Sequence, residues 1–149
     1  MKQNTSPLNH QKTNHDVIFI AELQVSDLFL FRDQRFKGYC ILAFRNKEKK
    51  QLEELTETEY LSFAKDLLTT SKTLKAALKP DHMNYELLGN TNPSLHWHVV
   101  PRYKDDPRWG QPIWEDYPRN EFNNNRFIVA DSENEKIVLK IRTNLLELH

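Results

Sequence analysis

The sequence predicts an α+β domain: an antiparallel sheet of about five strands, one long helix packed on it, and a second helix at the C-terminal end. Three observations carry this. Short runs of β-branched and aromatic residues follow one another between residues 17 and 44, separated by polar breaks. A long segment with apolar residues at helical spacing comes next, opened by a capping signature and closed by proline. Two further strand-like runs flank Gly89, ahead of a stretch punctuated by prolines.

Met1 to His15 is polar and holds Leu8 as its one large aliphatic side chain, so residues 1–15 are expected to form a flexible tail and 16–149 a single domain. The tail has no apolar stretch of the kind a signal peptide needs. Strands are predicted at Val17-Ile18-Phe19-Ile20, at Leu28-Phe29-Leu30-Phe31 and from Phe36 to Phe44, with breaks at Ser26-Asp27 and at Arg32 to Arg35. Gly38 within the third run marks a turn or a close approach of backbone. Gln51 to Leu55 is a charged, solvated connection. Thr56-Glu57-Thr58-Glu59 has capping-box spacing, worth about 1 kcal/mol. Leu61, Ala64, Leu68, Leu74 and Leu78 follow as the expected buried stripe, and Pro80 ends the helix. Tyr85 to Leu88 and Leu95 to Val100 are the last strand candidates. The segment from Pro101 to Asn125 carries Pro107, Pro112 and Pro118 together with Trp109 and Trp114, and reads as loop. A final helix opens at Asp131 or Ser132, with Ile137, Ile141 and Leu145 four apart and a second capping box at Ser132 and Glu135.

Composition narrows the function. Apolar residues are 38% and charged residues 28% of 149, ordinary for a globular chain of one domain. The 21 basic side chains balance 21 acidic ones. Zero net charge argues against a general nucleic-acid binder, whose affinity comes from neutralising many phosphates. A small anionic ligand needs only a few local donors, and self-association meets no net repulsion. The lone cysteine, Cys40, sits in the apolar run Tyr39 to Leu42, so it forms no intramolecular disulfide and reads as a small buried hydrophobe. No window approaches the roughly 20 apolar residues of a membrane helix. The cytoplasm is the expected location.

The chemistry gathers in Ser94-Leu95-His96-Trp97-His98-Val99-Val100-Pro101-Arg102. Side chains alternate along a strand, so Ser94, His96 and His98 share one face while Leu95, Trp97 and Val99 share the other. The apolar face packs on the helix, and the opposite face presents two imidazoles side by side. Taken alone, His-x-His is compatible with two surface histidines or with half of a metal site. A closed zinc site needs further ligands, and Cys40, His82 and the carboxylates stand at no supporting spacing. His82, after Pro80-Asp81, suits carbonyls at a helix end. His10, His15 and His149 lie near the termini and have no assigned role.

With its context, Gly89-Asn90 followed by Ser94-x-His96-x-His98-x-x and Pro101-Arg102-Tyr103 resembles the histidine-triad (HIT) family. The family signature is His-φ-His-φ-His-φ-φ, φ being apolar, preceded by Gly-Gln or Gly-Asn. Arg32 to Tyr39 looks like the strand-turn-strand that frames the family's nucleoside pocket. Asn84-Tyr85 to Asn90 and Asp105-Asp106-Pro107 look like a bacterial branch described as diadenosine-polyphosphate hydrolases. The similarity runs from about Val17 to Trp114.

The resemblance implies a HIT-like sheet, a homodimer, and a hydrolase acting at the α-phosphate of a dinucleoside polyphosphate or a nucleoside phosphoramidate. In that reading His96 is the nucleophile, giving a nucleotidyl-histidine that water then hydrolyses. An imidazole with an ordinary pKa near 6.5 offers a neutral nitrogen at pH 7. Its other nitrogen must carry the proton and donate it, in this family to a backbone carbonyl. His98 contacts the phosphate, Asn90 donates an amide to the same oxygens, Asp33 accepts from ribose hydroxyls, and Asn84 joins the substrate-binding set. Ser94 stands in place of the first triad histidine, near enough to bind substrate through its hydroxyl but lacking a ring. Since general acid–base groups contribute roughly 10²–10⁴-fold, the change implies slow turnover. Tyr39 stands where many relatives place a histidine. No organic cofactor or protein-held metal is implied, although a divalent cation can accompany a polyphosphate. Trp109 and Trp114 are candidates to cover a base or to fill a dimer interface. The rival readings are a nucleotide-binding module with little turnover, and a nucleotidyl transferase or phosphorylase sharing the covalent intermediate.

Overall fold

The computed structural model describes residues 12–114 and 130–147. In chain order the elements are β1 (Val17–Glu22), β2 (Ser26–Phe31), β3 (Cys40–Phe44), a 3₁₀ turn (Leu52–Glu54), α1 (Glu57–Leu78), β4 (His82–Glu86), β5 (His96–Arg102) and α2 (Asp131–Glu147). The five strands form one sheet in the order β1-β2-β3-β5-β4. Every neighbouring pair is antiparallel. The α+β architecture expected from the sequence is the one observed. The expected tail lies largely outside the described residues. Of its last residues, Lys12 pairs with Glu22 and Asp27, and the Asn14 side chain accepts from the Asp16 and Val17 amides.

Several boundaries shift, each for a physical reason. The third strand starts at Cys40 rather than Phe36, because Phe36 to Tyr39 is a turn. The Tyr39 amide donates to the Phe36 carbonyl at 3.1 Å, and the Gly38 amide to Gln34 Oε1 at 2.8 Å. Gly38 has φ +83°, and a Cβ there would stand 2.4 Å from Leu78 Cδ1 and 3.1 Å from Pro101 Cγ. Both sequence arguments for glycine therefore hold at once: a left-handed turn and a close approach. The break between the first two strands falls at residues 23–25, and Ser26-Asp27 belongs to β2. A carboxylate from α1 sets this turn. Buried Asp66 accepts from the Gln24 amide (3.1 Å), the Val25 amide (2.9 Å) and the Ser26 hydroxyl (2.6 Å). β4 begins at His82, ahead of the expected Tyr85, and β5 continues through Pro101 to Arg102.

The predicted capping box opens α1: Thr56 Oγ1 accepts from the Glu59 amide, and the Glu59 carboxylate accepts from the Thr56 amide. The expected leucine stripe is buried only in its second half, where Leu74 lies in the core and Leu78 packs against it. Leu61 and Leu68 are 56% and 54% exposed, while Phe63, Asp66, Thr70, Thr73, Leu74 and Ala77 face the sheet. The polar members of that face are internally satisfied. The Thr70 and Thr73 hydroxyls donate to carbonyls four residues back, which lets them be buried without an unpaired donor. In α2 the buried face is Asn134, Val138, Ile141 and Leu145, with Ile137 partly covered. α2 begins at Asp131, the earlier of the two expected positions, which puts Ser132 inside its first turn. The Arg142 guanidinium ties α2 to β1 by donating to the Phe19 and Ile20 carbonyls, where a bulge interrupts pairing with β2.

The sheet consequently has two different faces. One, formed by Ile18, Leu28, Leu30, Cys40, Leu42, Phe44 and Val99, packs on Phe63, Leu74 and Ala77 of α1 and on Val138 and Ile141 of α2. Burial pushes the Cys40 thiol pKa up, which leaves it an inert core group. The other face carries Phe19, Phe29, Ile41, His96 and His98, and the chain after β5 folds over one end of it, burying Ile113 with Phe36, Tyr39 and Val100. Among the described residues no helix is long and apolar enough to cross a membrane. Because Asp66 satisfies three donors of the β1–β2 turn, Asp66→Ala is expected to destabilise the fold by about 3 kcal/mol, read as a lowered urea midpoint with an unchanged slope.

Candidate functional site

β5 is bonded on both edges, to β3 through the pairs Ala43–His96 and Ile41–His98, and to β4 through Glu86–His98 and Asn84–Val100. This double pairing fixes which side chains point where. Leu95 and Val99 are buried beneath the helix face, and the Trp97 ring packs 6.3 Å from that of Phe63. His96 and His98 project from the other face with ring centroids 4.8 Å apart and planes inclined by 63°. The alternation read from the sequence therefore places the two imidazoles together, as expected.

Their partners differ in kind. His96 Nδ1 lies 2.8 Å from the Ser94 carbonyl oxygen, with the Ser94 hydroxyl farther away at 3.4 Å. A carbonyl oxygen can only accept, so Nδ1 carries the proton and, in the neutral ring, Nε2 presents its lone pair. His98 Nδ1 instead meets the Tyr39 hydroxyl at 2.5 Å. The edges of the Tyr39 and Trp114 rings enclose His98, with centroids at 5.8 and 5.7 Å. Burial, and secondarily the neighbouring His96, lower the His98 pKa to about 4. Glu86, opposite His98 on β4, is half buried, which raises its pKa, and its carboxylate accepts from Trp114 Nε1.

The other expected site residues are distributed around this pair. Asp33 is buried just after β2, where its Oδ1 accepts from the Arg35 amide; among the described residues its Oδ2 has no hydrogen bond, Arg35 Nη2 standing 3.9 Å away. Asn84 is on the same sheet face but gives its Oδ1 to Arg102 Nη1 at 2.6 Å. Asn90 is exposed in the loop between β4 and β5. Arg102, only 2% exposed, spends all of its donors inside the protein: on Asp106, Asn84 and the carbonyls of Arg108 and Gln111. It thereby holds the chain after β5 against the sheet and brings Trp114 to His98. Sequence reasoning missed Glu86; it marked Tyr39 as standing where many relatives have a histidine and Trp114 as a cover for a base or a dimer interface, but placed neither against His98. The position of Tyr39 directly after Gly38 was a usable signal. Nothing local to Trp114 reveals its destination, because a buried arginine sets the loop path.

An open cleft of about 680 Å³ lies beside the site at the β4 edge, lined by Asp81, Asn84, Glu86, Arg102 and Trp109. Among the described residues no three His, Cys, Asp or Glu side chains gather as a metal-holding group. The displaced pKa of His98 has a measurable consequence. Between about 6.5 and about 4 the unfolded chain binds a proton at His98 that the folded protein does not. Stability from this source is therefore complete above pH 6.5 and is lost as pH falls toward 4, by up to about 3 kcal/mol. Urea melts at pH 7 and pH 4.5 should show that loss in the wild type and a smaller one in His98→Gln.

Comparison with known proteins agrees with this geometry. A family model described as HIT domain matches residues 12–105, more than half of the chain and all five strands. Among curated proteins none matches. A histidine triad protein from Bradyrhizobium japonicum is similar at 23% identity with a TM-score of 0.77, covering 91% of this chain and 96% of that one. One from Sinorhizobium meliloti 1021 is 26% identical with a TM-score of 0.76, over 87% of this chain and 90% of that one. One from Marinobacter aquaeolei VT8 is 24% identical with a TM-score of 0.76, over 90% and 92% respectively. With the two imidazoles on the central strand of this sheet and the domain model spanning β1 to β5, the chain belongs to the HIT-domain family.

Proposed function

We propose that the protein hydrolyses a nucleotidyl bond at the α-phosphate of a dinucleoside polyphosphate or a nucleoside phosphoramidate, through a nucleotidyl intermediate on His96. HIT proteins generally act on nucleotide or phosphoanhydride substrates, and the single observation that carries the finer reading is the His96 Nδ1–H bond to the Ser94 carbonyl. That bond aims a neutral nitrogen lone pair out of the sheet, the requirement for attack on phosphorus.

In the first step Nε2 forms a bond to the α-phosphorus, and the bond from phosphorus to the bridging oxygen or nitrogen breaks. The leaving group departs with that electron pair and takes up a proton. In the second step water attacks phosphorus, the Nε2–P bond breaks, and the nucleoside monophosphate leaves with the imidazole restored. His98 is the donor that meets charge developing on the phosphoryl oxygens, and Asn90 adds an amide from the β4–β5 loop. Asp33 Oδ2, buried and without a hydrogen bond among the described residues, is suited to accept from ribose hydroxyls. Phe29, Phe31 and Ile41 supply apolar surface for a base on the same face. A divalent cation would come with a polyphosphate substrate. The residues quoted above resemble the diadenosine-polyphosphate-hydrolase branch, and in that reading Ser94 stands where the first histidine of the triad belongs. A serine does not protonate a leaving group as an imidazolium does, so turnover is slow. The same substitution favours, as a second reading, a nucleotide-binding module with little turnover.

We also propose a homodimer. β4 is a sheet edge, and beside it an apolar groove is lined by Tyr60, Phe63, Leu67, Leu68, Tyr85 and Trp97. Tyr60, Leu68 and Tyr85 are 48%, 54% and 44% exposed in the single chain. An apolar patch at a strand edge suits a two-fold contact with a second copy.

Incubation with diadenosine tetraphosphate or an AMP phosphoramidate should yield AMP and a trapped adduct on His96. His96→Ala should abolish the adduct and lower turnover by roughly 10³-fold or more, whereas Ser94→His should preserve or raise it. Nucleotide binding without turnover or adduct would select the binding module, and ADP appearing on addition of inorganic phosphate would select a phosphorylase. Light scattering should give twice the chain mass, falling to one chain mass in Leu68→Glu.

A further inference from the structure

We propose that Tyr39 is a positioning residue: its hydroxyl donates to His98 Nδ1 and so holds His98 in the tautomer with the proton on Nε2, opposite to that of His96. The inference deepens the hydrolase reading above and rests on it for its kinetic part, but not for its structural part.

The geometry is specific. Tyr39 leaves the Gly38 turn with its ring buried against Phe36, Val100 and Ile113, 4.9 Å from the Phe31 ring, and meets His98 edge-on with its hydroxyl at Nδ1. Burial, with the Glu86 and Asp33 carboxylates nearby, pushes the phenol pKa well up, so it keeps its proton at neutral pH. His98 is itself neutral there and has one ring proton to place. If that proton were on Nδ1 it would point at the phenol oxygen, and the phenol proton would have no hydrogen-bond acceptor among the described residues. With the phenol donating, both groups are satisfied, and Nε2–H faces the open side of the sheet.

Two adjacent rings thus receive complementary roles from what lies beneath them. Under His96 is a carbonyl, which only accepts, and the outward nitrogen keeps a lone pair. Under His98 is a phenol with a proton to give, and the outward nitrogen carries a hydrogen. One ring can attack phosphorus while its neighbour donates to a phosphoryl oxygen, and His98 need not be a cation to do so. Among the described residues the ionisable groups facing His98 are His96 on its own strand, Glu86 on β4 and Tyr39 ahead of β3.

The test is nitrogen NMR on the full chain labelled with ¹⁵N-histidine at pH 7, with His96→Gln and His98→Gln spectra as assignments. The expected result is a protonated Nδ1 in His96 and a protonated Nε2 in His98. Tyr39→Phe keeps the ring and its packing, and should leave His98 a mixture of tautomers. In that variant kcat/KM for AMP release should fall about tenfold, mostly in kcat, with the acid limb of the pH profile moved upward as His98 loses the donor that favours its neutral form. Conversion of Tyr39→Phe to a misfolded protein would not rescue the idea from the wild-type spectrum: a protonated Nδ1 on His98 there overturns it. So does a Tyr39→Phe spectrum in which His98 is unchanged. The predicted tautomers with no turnover by the wild type would support the Tyr39 assignment while removing the hydrolase reading.

Discussion

The two-residue repeat of β5 is the constraint on which the rest of the molecule depends. Because the strand is paired on both edges, it can neither slip nor rotate without breaking two ladders, and a slip by one residue would exchange its faces. Leu95, Trp97 and Val99 bury against the helix side, so His96 and His98 are obliged to emerge on the other. The core and the site are therefore not independent designs. The apolar half of one strand supplies the energy that holds its polar half in place.

Two buried charges then anchor the segments that a sheet alone would leave loose. Asp66 reaches from α1 to close the β1–β2 turn, and Arg102 reaches from the end of β5 to fold the following loop over the site. Each is surrounded by complementary partners, which is the condition for tolerating an ion in a protein interior. Arg102 keeps no donor free for a ligand. Its donors are fully engaged with Asp106, Asn84 and carbonyls, so the cationic residue beside the imidazoles serves architecture.

Among the described residues the surroundings of the two rings are accordingly short of positive charge. His98 is enclosed by Tyr39 and Trp114 and held neutral by burial. Glu86 lies across the strand pair, itself pushed toward its neutral form. In such surroundings hydrogen-bond direction matters more than net charge, and the identity of the atom beneath each imidazole decides what it offers outward. Ser94 contributes its backbone carbonyl to that arrangement, a contribution that any residue at the position would make, whereas its side chain is only a distant second neighbour of His96.

Much of this was legible in the amino-acid order, because strand and helix periods are local properties. The five strands, the Thr56 capping box, the Gly38 turn and the placing of His96 beside His98 all follow from spacing of a few residues. What was not legible depends on residues far apart in the chain. The buried face of α1 is set by where Asp66 must reach, 40 residues back to Ser26, so the exposed leucines of that helix misled a reading based on hydropathy. Asn84 is drawn to Arg102 across a strand pair, and Trp114 is carried to His98 by a loop that Arg102 pins. Sequence alone determined which side chains share a face; tertiary structure decided what each of those side chains touches, since contacts across the sheet are fixed only when strands distant in sequence come into register.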